Sequence, residues 1–486
     1  MEKERLQKAG DYILDGALIV GSSGRRINVT DQVRELNIYE SIDAPYISGN
    51  LLISDSAGTA GLLPFLGQER LLFNLRTPGH ANSVDFNDYH AVIYNVEKRF
   101  SASDKEHIIL LNWTTLEHLK NIRTKISASF SGTISEIVEK IIKSDEYLGS
   151  KKPLFLDSTR NIRKFVIPNL TPFQTINLIK SEAVSKDESA PHFLFYETPK
   201  GLHFRSFDSL LGQRGELSVP HKSAYRSQPP KSNDPEANLS TILYWEVQDN
   251  SNSFLNTRLG MYASTLFYHD IFNKNIQKFE YDYISDKFSK RNSMEQQTKT
   301  SGPLISQSIL ENKKTISEFP DSKIFVHPTA SNKFFFEGED KGTDNNAEEW
   351  LQESFSRELE RSYFTLKIET YGDTNIMCGD LINVLIPENK PLAPPVVQTT
   401  LDPILSGRYL ITSLHHQVVP TDQAHNMILM VTKDSLASVP EVKETKYAEP
   451  PEGNVDKGLK STKKHLTTRS PHAGSPELIQ PGDWDS

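Results

Sequence analysis

Cysteine is almost missing from this chain: Cys378 is its single thiol in 486 residues. One thiol closes no internal disulfide and builds no cysteine-rich zinc site, so neither staple is expected. Long apolar runs are missing too. No stretch of about 18 apolar residues occurs, so no helix is expected to cross a membrane. The start, Met1-Glu-Lys-Glu-Arg5, carries charge with no apolar segment behind it, and no signal peptide is expected. Positive charge is not in excess. A formal net charge of −9 argues against a nucleic-acid-binding surface spread over the whole chain.

Catalytic signatures are also absent from the sequence. There is no Gly-x-Ser-x-Gly elbow and no His-Glu-x-x-His. Gly21-Ser-Ser-Gly24-Arg-Arg26 lacks the lysine spacing of a phosphate loop and is followed by no helical period, so it reads as a hairpin turn. His415, His416 and His425 invite a metal reading, but adjacent strand residues point to opposite faces and chelate one ion poorly. They are expected to be barrel or interface histidines. Cys378 beside Gly379 has no helix start or neighbouring histidine to lower its pKa. Glu337, Glu339, Asp340, Asp344, Glu348 and Glu349 fail the calcium-loop spacing and read as a solvated acidic loop entering a helix. The aromatic stretch from Tyr244 to Phe288 could form a glycan platform, though core and protein contact fit it better. No catalytic, cofactor-binding or metal residue is assigned, and no cofactor is expected.

What is present is β-pattern. Leu36, Ile38, Leu51 and Ile53 alternate with polar residues, and Pro45 and Ser48-Gly49 punctuate. Leu71, Phe73 and Leu75 then alternate with Leu72, Asn74 and Arg76. Ile13–Val20 opens this region, and 89–100 with 108–113 closes it. Helical periods take over where Thr133-Ile-Ser-Glu136 forms a capping box before Ile134, Ile137, Val138, Ile141 and Ile142. Thr171-Pro-Phe-Gln174 marks a second helix, expected to reach about Val184. Residues 164–167 read as a strand, and 193–196 with 202–207 as a hairpin turning near Pro199-Lys200-Gly201. Further on, a helix is expected over 348–361 with Leu351, Phe355 and Leu359 on its apolar face. Four strands follow, at 363–370, 381–386, 408–418 and 426–431.

The expected fold class is α+β, mostly β. It comprises a first antiparallel β-barrel-like domain (1–113), a mixed α+β domain (114–215), a connector starting the second barrel (216–240), an inserted domain (241–347), a second β-barrel-like domain (348–435) and a flexible C-terminal tail (436–486). At 37% hydrophobic and 24% charged residues, the composition supports sizeable soluble cores.

The wording of three segments carries a resemblance. NIYESI…SGNLLISD followed by LPFLGQE (residues 37–69), PNLTPFQTINLIKSEA with FLFYETPKGLHFRSFDSLL (168–211), and GDLINVLIP with SGRYLITSLHHQV (379–418) resemble, in order, the central baseplate hub proteins of contractile-tailed phages. More distantly they are similar to late control proteins and to the spike-hub proteins of type VI secretion. The resemblance implies a non-enzymatic homotrimer in a virion tail baseplate, made and assembled in the host cytoplasm. It implies a spike protein on one face and a tail tube or tube-initiator protein on the other, with tape-measure and wedge proteins as further contacts. It implies neither membrane insertion nor tight nucleic-acid binding. Three copies at −9 would give a lumen to which DNA does not adhere by counterion release. The alternatives are a tail-associated cell-wall-degrading enzyme and a glycan-binding tail adhesin.

From Pro440 the composition turns to Pro, Lys, Glu, Gly, Ser and Thr, which buries too little apolar surface to offset ordering entropy. Ile479 and Trp484 stand out as isolated anchors, so the tail reads either as an extended arm that folds on a neighbouring protein or as an unattached disordered tail. Truncation after Val439 should leave the folded domains unchanged by circular dichroism and weaken incorporation into baseplates. Undiminished assembly of the shortened chain would remove that role.

Overall fold

A computed structural model of the protein describes residues 5–56, 58, 65–103, 106–212, 224–226, 235–249, 252–271, 274–295, 302–303, 314–329, 346–388 and 401–436. The C-terminal arm and acidic residues 337–344 lie outside the described residues.

The first barrel is built from β1 (Ile13–Val20), β2 (Arg26–Asn28), β3 (Val33–Ser41), β4 (Ser48–Asp55), β5 (Arg70–Arg76), β6 (Ser83–Asp85), β7 (Ala91–Ser103) and β8 (Glu106–Thr115). Its sheet runs β3-β4-β8-β7-β5-β1-β2. Side chains from both ends of that order, Ile19 on β1 and Ile38 on β3, enter one apolar cluster with Leu51, Phe73, Leu111 and Trp113. The sheet must therefore curl. Two bonds tie β1 to the turn that leads from β2 into β3: Val29 N–H donates to the Ala17 carbonyl (2.8 Å) and Ala17 N–H to Thr30 Oγ1 (3.0 Å). Gly49 is dictated by the close approach of Trp113, because a Cβ there would lie 2.4 Å from the indole and 2.1 Å from the Asn37 carbonyl.

The middle region comprises α1 (Leu116–Arg123), β9 (Ser129–Thr133), α2 (Ile134–Lys143), β10 (Leu154–Leu156), β11 (Ile162–Val166), α3 (Pro172–Lys180), β12 (Phe193–Thr198), β13 (Gly201–Ser206) and α4 (Phe207–Leu211). Both capping boxes read from the sequence form. The helix α3 stops at Lys180 rather than near Val184, whose carbonyl instead accepts from Arg160 N–H.

The remainder contains β14 (Ala224–Arg226), α5 (Pro235–Leu239), β15 (Ile242–Asp249), α6 (Ser253–Leu259), β16 (Ala263–Asp270), β17 (Asn275–Asp282), β18 (Gly302–Pro303), β19 (Ile324–Thr329), α7 (Ala347–Arg361), β20 (Thr365–Tyr371), β21 (Leu381–Leu385), β22 (Gly407–Val419), β23 (Ala424–Thr432) and β24 (Ser435–Leu436). The second barrel-like sheet is β15-β20-β23-β22, with β21 and β14 added beside β22. This corrects the inserted region. Residues 242–249 were expected within the insertion, yet they form a barrel strand antiparallel to β20. Two register shifts, between Ile242 and Tyr244 and between Val247 and Asp249, break the alternation that would have betrayed a strand. The inserted sheet β17-β16-β19 also shares its core with the barrel. Met261, Tyr262, Tyr281, Tyr283 and Met294 join the cluster of Leu366, Ile411 and Leu429.

The two barrels repeat one pattern. In the first, β3-β4-β8-β7 aligns the rows Leu36–Leu51–Leu111–Val96, Asn37–Asn50–Asn112–Asn95 and Ile38–Gly49–Trp113–Ile93. In the second, β15-β20-β23-β22 aligns Trp245–Ile368–Leu429–Leu414, Glu246–Lys367–Met430–Ser413 and Val247–Leu366–Val431–Ile411. Even the bulges coincide, between Ile93 and Asn95 on β7 and between Ile411 and Ser413 on β22. Next to each bulge, Ile93 N–H donates to the Glu69 carbonyl and Ile411 N–H to the Asp380 carbonyl.

The helix α7 corrects a second expectation. Leu359 packs on the core as expected, but Phe355 is exposed, and the buried positions include Gln352, Ser356, Arg357 and Glu360. Arg357 is 0% exposed. Its guanidinium donates to Asp208 Oδ1 (2.6 Å) on α4 and Glu360 Oε2 (2.9 Å). Lys287 bonds Glu360 and reaches Asp434 Oδ2 at 3.2 Å. The apolar residues of this helix are sparse, and burial goes to the face whose charges find partners.

Arg357→Ala would strand Asp208 without its ion-pair partner and leave Glu360 with Lys287 alone. We expect a loss of about 3–5 kcal/mol in folding stability by guanidinium denaturation. A loss below about 1 kcal/mol would show that water rescues the site.

Candidate functional site at the seam between the barrels

The seam rests on β22, whose thirteen residues serve both barrels. Along one edge it pairs with β23 from Leu410 to Val419. Along the other, Gly407–Leu410 pair with β21, and Ser413–Val418 pair antiparallel with β3 of the first barrel. The bulge after Ile411 separates the two registers. Val418 consequently packs in the first barrel's core while Leu414 packs in the second.

On the outward face the seam is polar. His415 Nε2 and Asn37 Oδ1 lie 2.7 Å apart, and Gln417 Nε2 donates to Glu35 Oε1 (2.9 Å). Asn37 Nδ2 donates to Glu35 Oε1 (2.9 Å) and Asn50 Oδ1 (2.7 Å). The His415 ring stacks on Tyr39 with centroids 4.5 Å apart. A cavity of about 300 Å³, lined by Tyr39, Tyr46, His415, Ile428 and Met430 among others, opens on this face.

The inward face is buried and titratable. His416 Nδ1 and His425 Nε2 lie 3.0 Å apart, and burial holds His416 well below the usual imidazole range and His425 down to about 3. Both rings are therefore neutral. Glu40 on β3 lies 4.0 Å from His416 and accepts from Cys378 N–H at 3.4 Å. Burial pushes its carboxyl up to about 8, with Asp380 and Glu197 adding repulsion. Burial also raises Asp380 to about 6 and drives the Cys378 thiol well above its ordinary value. Cys378 is thus an inert thiol in this setting.

Loops reinforce the seam. Thr77 N–H donates to Thr374 Oγ1 and Thr374 N–H returns to Thr77 Oγ1, both at 3.1 Å. His80 Nδ1 lies 2.8 Å from Asp373 Oδ1, and that bond raises its pKa. A second buried ionic group ties the middle region to the first barrel. Lys152 bonds Glu197 and Glu117 (2.9 Å to the latter), while Glu197 Oε2 accepts from Thr115 Oγ1 (2.7 Å) and Ile47 N–H (3.1 Å).

The residues singled out in the sequence thus separate. His415, His416 and His425 converge on the seam, with the first on the opposite face from the other two. Gly21–Arg26 is the turn between β1 and β2. Glu349 bonds Arg160 at 2.9 Å, at the start of α7. The aromatic run forms no single platform: Tyr262, Tyr281 and Tyr283 are core, Trp245 packs on that core, and Phe254 is exposed. Among the described residues no three His, Cys, Asp or Glu side chains converge as metal ligands, and no helix is long and apolar enough to cross a membrane. Sequence reasoning missed Glu40, Lys152 and Arg357; Glu40 alone gave a signal, a charge within the apolar pattern of β3.

No family model and none of the curated proteins matches the sequence. Solved structures similar in fold include the tail protein from Neisseria meningitidis MC58, at 12% identity over 87% of this chain and 97% of that one, with a TM-score of 0.49. Another is the 43 kDa tail protein of prophage MuSo2 from Shewanella oneidensis, at 10% identity over 87% and 98%, with a TM-score of 0.45. The E. coli c3393 protein, a component of the type VI secretion system, is similar at 11% identity over 83% and 73%, with a TM-score of 0.38. The structural neighbours include phage tail and baseplate proteins and type VI secretion proteins.

Glu40 generates a pH prediction. A carboxyl raised from 4.5 to about 8 in the fold contributes stability that is complete below pH 4.5 and lost as pH rises through 8. Glu40→Gln keeps the shape without the proton. It should flatten the fall in urea midpoint between pH 5 and 8.5 and exceed the parent's stability by a few kcal/mol at the alkaline end, at roughly 1.4 kcal/mol per unit. Parallel pH profiles for parent and variant would refute a neutral, buried Glu40.

Proposed function

We propose that the chain is a structural hub subunit of a contractile-tail baseplate, acting as a homotrimeric ring between a trimeric spike and a six-fold tail tube. The observation that carries this reading is the repeated four-stranded sheet, present twice in one register and joined edge to edge within the chain. A ring of three such chains offers six nearly equivalent barrel faces on one side while keeping three-fold symmetry on the other. That is the geometry an adaptor between three-fold and six-fold partners needs. The sequence resemblance names the same role. Seam histidines held neutral and a thiol held protonated fit a packing junction better than a reaction centre.

Size-exclusion chromatography with light scattering tests the ring. The expected species has three times the chain mass of 55.0 kDa, with or without a spike protein added. A strictly monomeric chain at every concentration, spike present, would overturn the proposal. The same preparation should not bind duplex DNA tightly at physiological salt.

A further inference from the structure

The repeat leaves two strands without the partner their counterparts have. Matching the rows makes β15 the counterpart of β3 and β7 the counterpart of β22. Inside the chain, β22 of the second barrel pairs with β3 of the first. The complementary junction, β7 of a first barrel with β15 of a second, is not made. Among the described residues β15 pairs only with β20, and β7 meets β5 only through Ala91 and Val92, so the outer edge from Asn95 to Ser101 carries no strand. Such free edges present rows of N–H and C=O groups ready for another strand.

From these free edges we infer that β7 of one copy pairs antiparallel with β15 of the next, repeating between subunits the junction that β22 and β3 make within one. The inference rests on the ring reading above and gives it an interface. The registers transfer row by row. Gln417↔Asn37 becomes Phe100↔Glu246, and His416↔Ile38 becomes Arg99↔Val247. The chemistry of the two edges agrees. Phe100 and Tyr94 on β7 are 53% and 54% exposed, and Leu243 and Tyr244 on β15 are 50% and 49% exposed, so both edges hold apolar surface in need of cover. The match places Phe100 beside Tyr244 where the internal seam has Gln417 bonded to Glu35. It also brings Lys98 diagonally across from Glu246 on one face, an attractive cross-strand pair. Lys98 is now exposed beside Glu97, at 4.0 Å. Because the two edges differ, the contact is heterologous, the kind that closes into a ring when the rotation from copy to copy is a whole fraction of a turn.

Cysteine pairing tests the register on the full chain. Phe100→Cys combined with Glu246→Cys should link neighbouring subunits on mild oxidation, giving covalent dimers and then a covalent trimer. Either single variant should give none, and buried Cys378 should add no background. A trimer by light scattering that does not cross-link in the double variant, or that cross-links in a single one, overturns this pairing and leaves the ring reading standing. A protein that never leaves the monomer overturns both. Charge exchange gives an independent readout. Lys98→Glu or Glu246→Lys alone should raise the concentration for half-assembly about tenfold, since every interface loses an attraction and gains a repulsion. The two together should restore it. Equal weakening in all three variants would also overturn the pairing.

Discussion

The edge-to-edge pairing of β22 with β3 is the constraint on which the rest of the molecule depends. One strand carries two partners along the same edge, and a bulge lets it turn from one to the other. Rotating either barrel about the seam would break main-chain bonds and unpack Val418 from the first core. Side-chain bonds on the outward face and a dry histidine pair on the inward face leave no room for a slip by one residue. Such a slip would send His416 and Glu40 outward and put His415 and Tyr39 into the core.

Buried ions then fix the middle region against both barrels. Lys152 with Glu117 and Glu197 grips the end of β8, while Arg357 and Lys287 with Asp208, Glu360 and Asp434 grip the end of β23. Buried pairs of this kind contribute little net stability compared with a well-packed apolar substitute, but losing one partner is costly. They act as position markers. Each admits one arrangement of three or four chain segments distant in sequence, where apolar packing alone would tolerate several.

Much of this fold was legible in the sequence because its cores obey simple periods. The alternation of β3, β4, β5 and β8 and the capping boxes at Thr133 and Thr171 needed no tertiary information. Where tertiary contacts overrode the period, reading failed. Two register shifts disguised β15, and α7 buried its charges because Asp208 and Asp434, far along the chain, were there to meet them. The repeat was invisible for a related reason. Its equivalent positions share burial rather than identity, and Gly49 against Trp113 fills the space that Leu366 and Val431 fill in the second barrel. A small residue beside a large one replaces two medium ones, so volume is kept while letters change.

The rows show where the two barrels were free to diverge. The inward rows are apolar in both, since each must close a core. The outward row differs: four asparagines, Asn37, Asn50, Asn112 and Asn95, against Glu246, Lys367, Met430 and Ser413. The first set is uncharged and uniform, the second mixed in charge and shape. In the proposed ring of alternating barrels, a six-fold partner would find equal backbone geometry at every step but two alternating surface chemistries. Contacts made through main-chain shape can be satisfied six times, whereas contacts made through these side chains can be satisfied only three times. An adaptor needs that division. In the proposed ring, shape would carry it across the symmetry mismatch, and chemistry would preserve the three-fold order on which the opposite face depends.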